Sequence, residues 1–418
     1  MARNEKMEIK MKKQIDELMK SVGCDKFPER YKEIYDDAMR EFESYGCELL
    51  NPDYYDKIGE KYNILVKYRD IYKKAAEEIC KSKDLSAFLA LLCYALKDRQ
   101  HAISEGYELA PLKSPDGKPN LAYDMITGLA ICSLVPYAYE KMKSMGLPDE
   151  IITSSLRLFE EGIDKYADCH NGTFGYEHLG WYQLAIEGRL FRVGRLEIEP
   201  CSSFGAKALV FENGKGEHIA LADGLTLHEE GFPLGSRGYE DDLDSFEANI
   251  FETETLWKGH AFNAKGYVER EEVILAKDEW TKVLTPKDKA INLHIPSGGS
   301  FSKEVLDDTI KEIKNFMKEY FPQVDYKAFV CHSWIIDTQL EELLGQDSNI
   351  VKFGKRFQRL AMKSDGRGVF HFVFYHPSFD YDPVISELPE NTRLEKAIKN
   401  HYLNNKAIYE MYGYFLAK

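Results

Sequence analysis

Between residues 291 and 336 the chain runs strand, glycine turn, long amphipathic helix, strand, and few topologies accept that order. The segment INLHI leads into Pro296-Ser297-Gly298-Gly299-Ser300. Beyond it, Val305, Leu306, Ile310, Ile313, Met317 and Tyr320 fall on one side of a helix that Ser302 is placed to cap. An apolar run from Tyr326 to Ile336 then reads as a second strand. Such a connection is a right-handed crossover between parallel strands. The last part of the chain therefore carries a mixed sheet with at least one parallel pair.

What precedes it has a different texture. The first 165 residues read as helix throughout. Leu65, Tyr68, Tyr72, Ala75 and Ile79 predict one helix face between Glu60 and Lys81, and the 85–97 run (LSAFLALLCYALK) is apolar nearly all round, as a bundle core requires. Pro111, Pro115, Asp116-Gly117 and Pro119 break the pattern before a helix beginning near Leu121. After about residue 186, alternation replaces helical spacing. Phe191–Glu199 reads as one strand, and Asn213-Gly214 predicts a hairpin between 207–211 and 217–221. Further strands are predicted at 259–264, 272–276, 290–295, 357–362 and 369–375. Short helices are predicted after Thr338, which with Glu341 forms a capping-box pattern, and over Thr392–Leu416. The expected fold class is α+β, with a helical domain over 1–165 and a mostly antiparallel mixed sheet flanked by helices over 166–418.

Composition narrows the functional class. With 55 Lys+Arg against 70 Asp+Glu the formal net charge is −15, a field that repels phosphate backbones and anionic lipids, so neither nucleic acid nor membrane is expected as a partner. The start of the sequence has no apolar signal-like run, and Ile126–Tyr139 is short for a span and carries Pro136. Eight dispersed cysteines without a CxxC pair point to reduced thiols and a cytoplasmic setting. No zinc-like constellation accompanies Cys169, His170 and His178, and HExxH is absent, so no metal is expected.

The 295–300 turn is the strongest chemical signal. Glycines between a strand and a helix let successive N–H groups converge on an anion that the helix dipole also favours. Ile295, Pro296, Ser297, Gly298, Gly299 and Ser300 are thus candidate phosphate-binding residues. Lys352, Lys355, Arg356 and Arg359 lie within eight residues of an otherwise acidic chain and could add a local anion site.

This order of parts resembles the GNAT N-acyltransferase superfamily. More narrowly, HIPSGGS with CHSWIID and SNIVKFGKRF resembles a bacterial acyltransferase family with a helical N-terminal domain and a GNAT-like C-terminal domain. The resemblance implies a pyrophosphate-binding turn after the fourth strand, a fifth strand that splays away to admit acyl-CoA, and direct acyl transfer to an amine. Aligned on Gly298, the superfamily turn motif has Arg or Gln where Ile295 stands. Its acid tyrosine has no counterpart in DTQLEELLG, which leaves the acid unassigned. His294 and His332, one on each splaying strand, are the candidate bases because imidazole titrates in the useful range. His228 is a second-line candidate. Cys331 reads as a small buried hydrophobe, Trp334 as packing, and Asp337 as a helix start. The acidic stretch from Glu240 to Glu254 would draw a cationic acceptor. The expected co-substrate is acyl-CoA, acetyl or longer, with a small-molecule or peptide amine as acceptor; self-association stays open. The other readings are a non-catalytic CoA-binding sensor or scaffold, and a helical interaction protein.

Overall fold

The computed structural model describes residues 14–104, 109, 112–177 and 179–417; Pro111 and His178 lie outside them. The chain divides into two compact units, Met1–Phe191 and Arg192–Lys418. Helices Leu158–Cys169 and Gly180–Ile186 extend the first unit past residue 165.

The first unit is helical. Its centre is the helix Lys83–Lys97, where Leu85, Phe88, Leu89, Leu91, Leu92, Ala95 and Leu96 are all buried, opened by Ser82, whose hydroxyl accepts from Leu85 N. The face predicted for 60–81 belongs to two helices, Asp53–Tyr62 and Arg69–Cys80. Asn63 and Leu65 between them both take positive φ, 51° and 59°, which no continuous helix tolerates. Helices Leu121–Cys132 and Val135–Ser144 form a run whose 24 residues and mean hydropathy of 1.4 would suffice to cross a bilayer, so the stretch is longer than its sequence suggested. The share of that apolar window buried inside the protein is 67%, which marks a core helix. Buried tyrosines knit this unit together: Tyr72 and Tyr176 share a hydroxyl–hydroxyl hydrogen bond, and Tyr176 also donates to Phe159 O at 2.7 Å.

The second unit has fourteen strands. β1 is Phe191–Val193, β2 Leu196–Ser203, β3 Ala208–Asn213, β4 His218–Ala222, β5 Leu225–Leu227, β6 Phe246–Ala248 and β7 Phe251–Glu252. β8 is Leu256–Phe262, β9 Val268–Ala276, β10 Trp280–Leu284, β11 Lys289–His294, β12 Tyr326–Ser333, β13 Gln358–Ala361 and β14 Met411–Leu416. One sheet has the order β1-β2-β11-β12-β14-β13, the other β10-β3-β4-β8-β7 with β9 also on β8. Among the strand pairs whose register is described, β11 and β12 are the parallel one, joined by the helix Lys303–Tyr320 whose hydroxyl cap is Ser302. The predicted crossover and the 213–214 hairpin are both present.

Alternate residues of the first sheet, Ala290, Ala328, Val330, Leu360 and Tyr414, join Phe204, Ala208, Val210, Ala220 and Leu284 in a dry layer between the sheets. Large rings occupy the other face. Phe329 stacks on Phe415 at 4.8 Å, and Phe357, Phe353 and Phe301 continue the contact. Each buried ring is worth roughly 1.5–3 kcal/mol.

Five sequence expectations differ here. The 191–199 strand is broken by a turn at Gly194, and Trp334–Ile336 is a 3-10 turn ending β12. Thr338 precedes the expected helix with helical φ/ψ and makes no side-chain cap hydrogen bond; the capping box lies at Thr392 with Glu395 instead. VFHFVF is helix Gly368–Phe374, with Val369, Phe370 and Val373 buried and Phe372 exposed, so helical burial overrides its strand-like composition. The last helix stops at Leu403. Asn405, at φ 56°, turns the chain back into β14.

Gly128 is where the helical unit leaves no room: a Cβ there would lie 1.9 Å from Tyr176 Cδ2. Gly128→Ala should destabilise the protein by about 1–3 kcal/mol, read as a lowered melting temperature in calorimetry. An unchanged transition would show that Tyr176 can yield.

Candidate functional site

β11 and β12 part before either ends. Their parallel register runs from Lys289↔Tyr326 to Asn292↔Val330 and goes no further. Leu293 and His294 continue to pair with Ile198 and Glu197 of β2. On the other side, Cys331, His332 and Ser333 continue to pair with Gly413, Tyr412 and Met411 of β14. Each strand keeps its outer neighbour and loses its inner one, so a gap opens between Leu293–His294 and Cys331–Ser333. The separation expected from the resemblance is thus a measurable break in register.

The turn at the head of this gap is exposed and left-handed. Gly298 and Gly299 both have φ of 71°, a conformation that glycine adopts without penalty. Among the described residues, no backbone carbonyl accepts from the N–H of Ser297, Gly298, Gly299, Ser300 or Phe301. A Cβ on Gly298 would meet nothing within 4 Å, so the space above it is open. Ile295 is half-buried and Pro296 buried, anchoring the turn; Ser297 and Ser300 are exposed.

Two arginines flank the turn, one of them unforeseen. The β1–β2 turn sits on the helix Lys303–Tyr320, where Arg195 N donates to Thr309 Oγ1 at 3.0 Å. That seat carries the Arg195 guanidinium over the glycines: Nε donates to Ser300 O at 3.2 Å, and the group stacks 5.5 Å from the Phe301 ring. On the other side, Arg356 Nη2 bonds Lys303 O at 3.2 Å and Asp307 Oδ1 at 2.6 Å. Lys303 and Arg356 together hold the Asp307 carboxyl down at about 2. The rest of the basic cluster is spent differently. Lys355 hydrogen-bonds Gln346 and lies 3.8 Å from Glu341, which also takes Arg359 at 3.0 Å. Lys352 is exposed on the short helix Asn349–Gly354.

One wall of the gap carries a polar cluster. Asn292 stands opposite Glu199 in the β2–β11 register, and His294, two residues on, shares its face. Glu199 Oε1 lies 2.9 Å from Asn292 Nδ2 and 2.8 Å from His294 Nε2, with both residues only partly exposed. Asn292 Nδ2 is 3.1 Å from the same His294 nitrogen; in the tautomer whose Nε2–H donates to Glu199, Nδ1 is the ring's acceptor. Glu199 has no motif of its own; only the pairing of β2 with β11 reveals it.

His332 is on the opposite wall. Part of its ring meets solvent, yet protein surrounds enough of it that desolvation lowers its pKa, with His294 adding to the effect and Glu410 opposing it. Cys331 is buried, and burial raises its thiol to about 12, so it is a core residue and no nucleophile. His228 packs edge-on to Tyr239 at 5.3 Å and accepts from Glu230 N at 3.2 Å. Tyr412 faces the site from β14 opposite His332. Its hydroxyl donates to Phe204 O, and burial raises its pKa.

Asp337 does more than start a helix. It is buried, and its oxygens accept from Tyr409 N at 2.8 Å, Gln339 N at 2.9 Å and Gln339 Nε2 at 3.0 Å. The carboxyl ties the end of β12 to the segment entering β14, while burial raises its pKa to about 6.

Comparison with known proteins agrees with this architecture. A family described as GNAT-like C-terminal domain matches residues 190–415. An acyltransferase solved in complex with decanoyl-CoA and teicoplanin is 17% identical and superposes with a TM-score of 0.60, covering 96% of this chain and 99% of its own. A mutant acyltransferase in complex with octanoyl-CoA gives 17% and 0.59 over 96% and 98%. An acyltransferase with CoA and 10C-teicoplanin gives 16% and 0.59 over 96% and 99%. No curated protein sequence matches significantly.

The raised pKa of Asp337 fixes a pH dependence. The folded state binds this proton more tightly than an unfolded aspartate near 3.9. Its contribution to stability is full below about pH 4 and is lost as pH rises through about 6. Urea midpoints at pH 4, 5, 6 and 7 should show wild type losing stability relative to Asp337→Asn across that window. A difference independent of pH would contradict the assignment.

Proposed function

The chain belongs to the GNAT-like C-terminal domain family, and from that premise we propose that it transfers an acyl group from acyl-CoA to an amine by direct attack on the thioester. One observation carries the reading: the parallel pair β11–β12 separates at a turn whose successive amides donate to no backbone carbonyl among the described residues. A diphosphate there would receive backbone N–H groups and the positive end of an 18-residue helix. Arg195 then supplies the cation that the turn lacks at Ile295, with Arg356 opposite. Pantetheine carries amides of its own, and the edges of β11 and β12 that face the gap no longer pair with each other.

The transfer balances simply. A neutral amine adds to the thioester carbonyl, the C–S bond breaks, and CoA leaves as thiolate. The proton lost by nitrogen passes to His294, which Glu199 orients; His332, held neutral by its surroundings, is the other acceptor within the gap. Exposed carboxylates at 240–244 favour a cationic acceptor. The similar acyltransferases were solved with decanoyl- and octanoyl-CoA, which supports an acyl chain longer than acetyl. Two of the similar acyltransferases were solved with teicoplanin or 10C-teicoplanin as well, which supports a small-molecule acceptor. A cytoplasmic setting without membrane or nucleic acid remains part of the proposal.

Calorimetric titration with CoA should show Gly298→Val weakening binding by about tenfold or more, because the new side chain covers the amides and strains a left-handed residue. Unchanged affinity would defeat the proposal. In a thiol-release assay with amine acceptors, His294→Ala should lower kcat by roughly 100-fold to 10,000-fold at near-normal CoA affinity, and Glu199→Gln by less. Full turnover in His294→Ala would move the base to His332; CoA binding without turnover on any amine would leave a sensor.

A further inference from the structure

Between the two sheets of the second unit lies a cavity of about 390 Å³, lined by Ala206, Leu225, Leu234, Phe262, Leu360 and Tyr412 among others. We infer that this cavity receives the distal part of a medium-length acyl chain whose thioester sits in the gap between β11 and β12. The inference rests on the acyl-CoA reading above and adds the location and size of the acyl site.

The connection is a register fact. Tyr412 is directly opposite His332 on β12 and directly opposite Leu360 on β13, and directly opposed residues share a face. His332 borders the gap, while Tyr412 and Leu360 line the cavity. Tyr412 is therefore the wall common to both. From the gap the cavity lies beneath the next two strands, roughly 10 Å away at about 4.8 Å per strand spacing. An acetyl group cannot bridge that distance; a chain longer than about six carbons can.

Size and chemistry agree. A cavity of 390 Å³ is more than twice the roughly 150 Å³ that holds a benzene ring, ample for the last few carbons of a medium-length chain. Its inward residues belong to the dry layer between the sheets: Ala206, Leu225, Phe262 and Leu360 are all in that cluster. The charged residues that line it, Lys207 and Lys363, are exposed. Such a lining takes a saturated chain.

Titration calorimetry of the full chain with CoA, acetyl-, butyryl-, hexanoyl-, octanoyl- and decanoyl-CoA tests this. Affinity should be nearly flat to hexanoyl and then tighten by about fourfold per methylene as carbons enter the cavity. Two variants should move the optimum in opposite directions. Ala206→Leu fills the space and should shorten the preferred chain, whereas Leu234→Ala, at a half-buried position, should lengthen it. A merely structural effect would shift both the same way. Equal affinity for acetyl- and decanoyl-CoA, or a chain-length profile that neither variant alters, overturns the inference while CoA binding still supports the proposed function. Failure of CoA itself to bind would overturn both.

Discussion

Everything in the proposed site depends on two parallel strands ceasing to pair while each stays pinned on its outer side. An inner strand of a sheet normally has both edges satisfied, and exposing one leaves N–H and C=O groups that must find partners elsewhere. β11 tolerates this because β2 continues alongside it to His294, and β12 because β14 continues alongside it to Ser333. The Asp337 carboxylate reinforces the second clamp by gripping Tyr409 N just ahead of β14. The gap is therefore an opening held on both sides by antiparallel pairs.

Local charge decides what the head of that opening attracts. The protein as a whole is strongly acidic, yet at physiological ionic strength charges beyond about 8 Å are largely screened. Arg195 and Arg356 are next to the turn, and both are already held by protein oxygens, Ser300 O in one case and Lys303 O with Asp307 in the other. A diphosphate arriving there would not have to order long side chains first, which removes part of the usual entropic cost of binding.

The crossover was legible because its signals are local. The alternation of INLHI, two glycines, a Ser cap and a helical stripe each act within a few residues, and all reappear where expected. The basic run at 352–359 was legible as charge but not as function. Its neighbours in space, Glu341 and Asp307, come from other elements and divide it between structure and site. Arg195 was invisible because its role comes from the β1–β2 turn sitting on a helix more than a hundred residues later. Segment 369–375 misled for the opposite reason. Its valines and aromatics suit a strand, and only tertiary burial makes it a helix.

Glu199 shows how narrow the margin is between a scaffold and a site. Ala290 stands opposite Ser202, and an unbroken antiparallel register would then place Pro200 opposite Asn292. The register instead slips by one residue, and Glu199 takes that position. Proline cannot donate to the ladder, so a bulge there is the natural accommodation. Its consequence exceeds its cause, because a one-residue slip moves every later side chain of the strand to the other face. Glu199 and Glu197 thereby join the face of Asn292 and His294, and Ile198 goes with Leu293. Glu197 is then neutralised by Arg192 at 2.7 Å, which leaves Glu199 to engage the imidazole. The carboxylate–histidine pair on the wall of the gap is thus set by the backbone chemistry of a proline, in a strand whose sequence carries no catalytic motif.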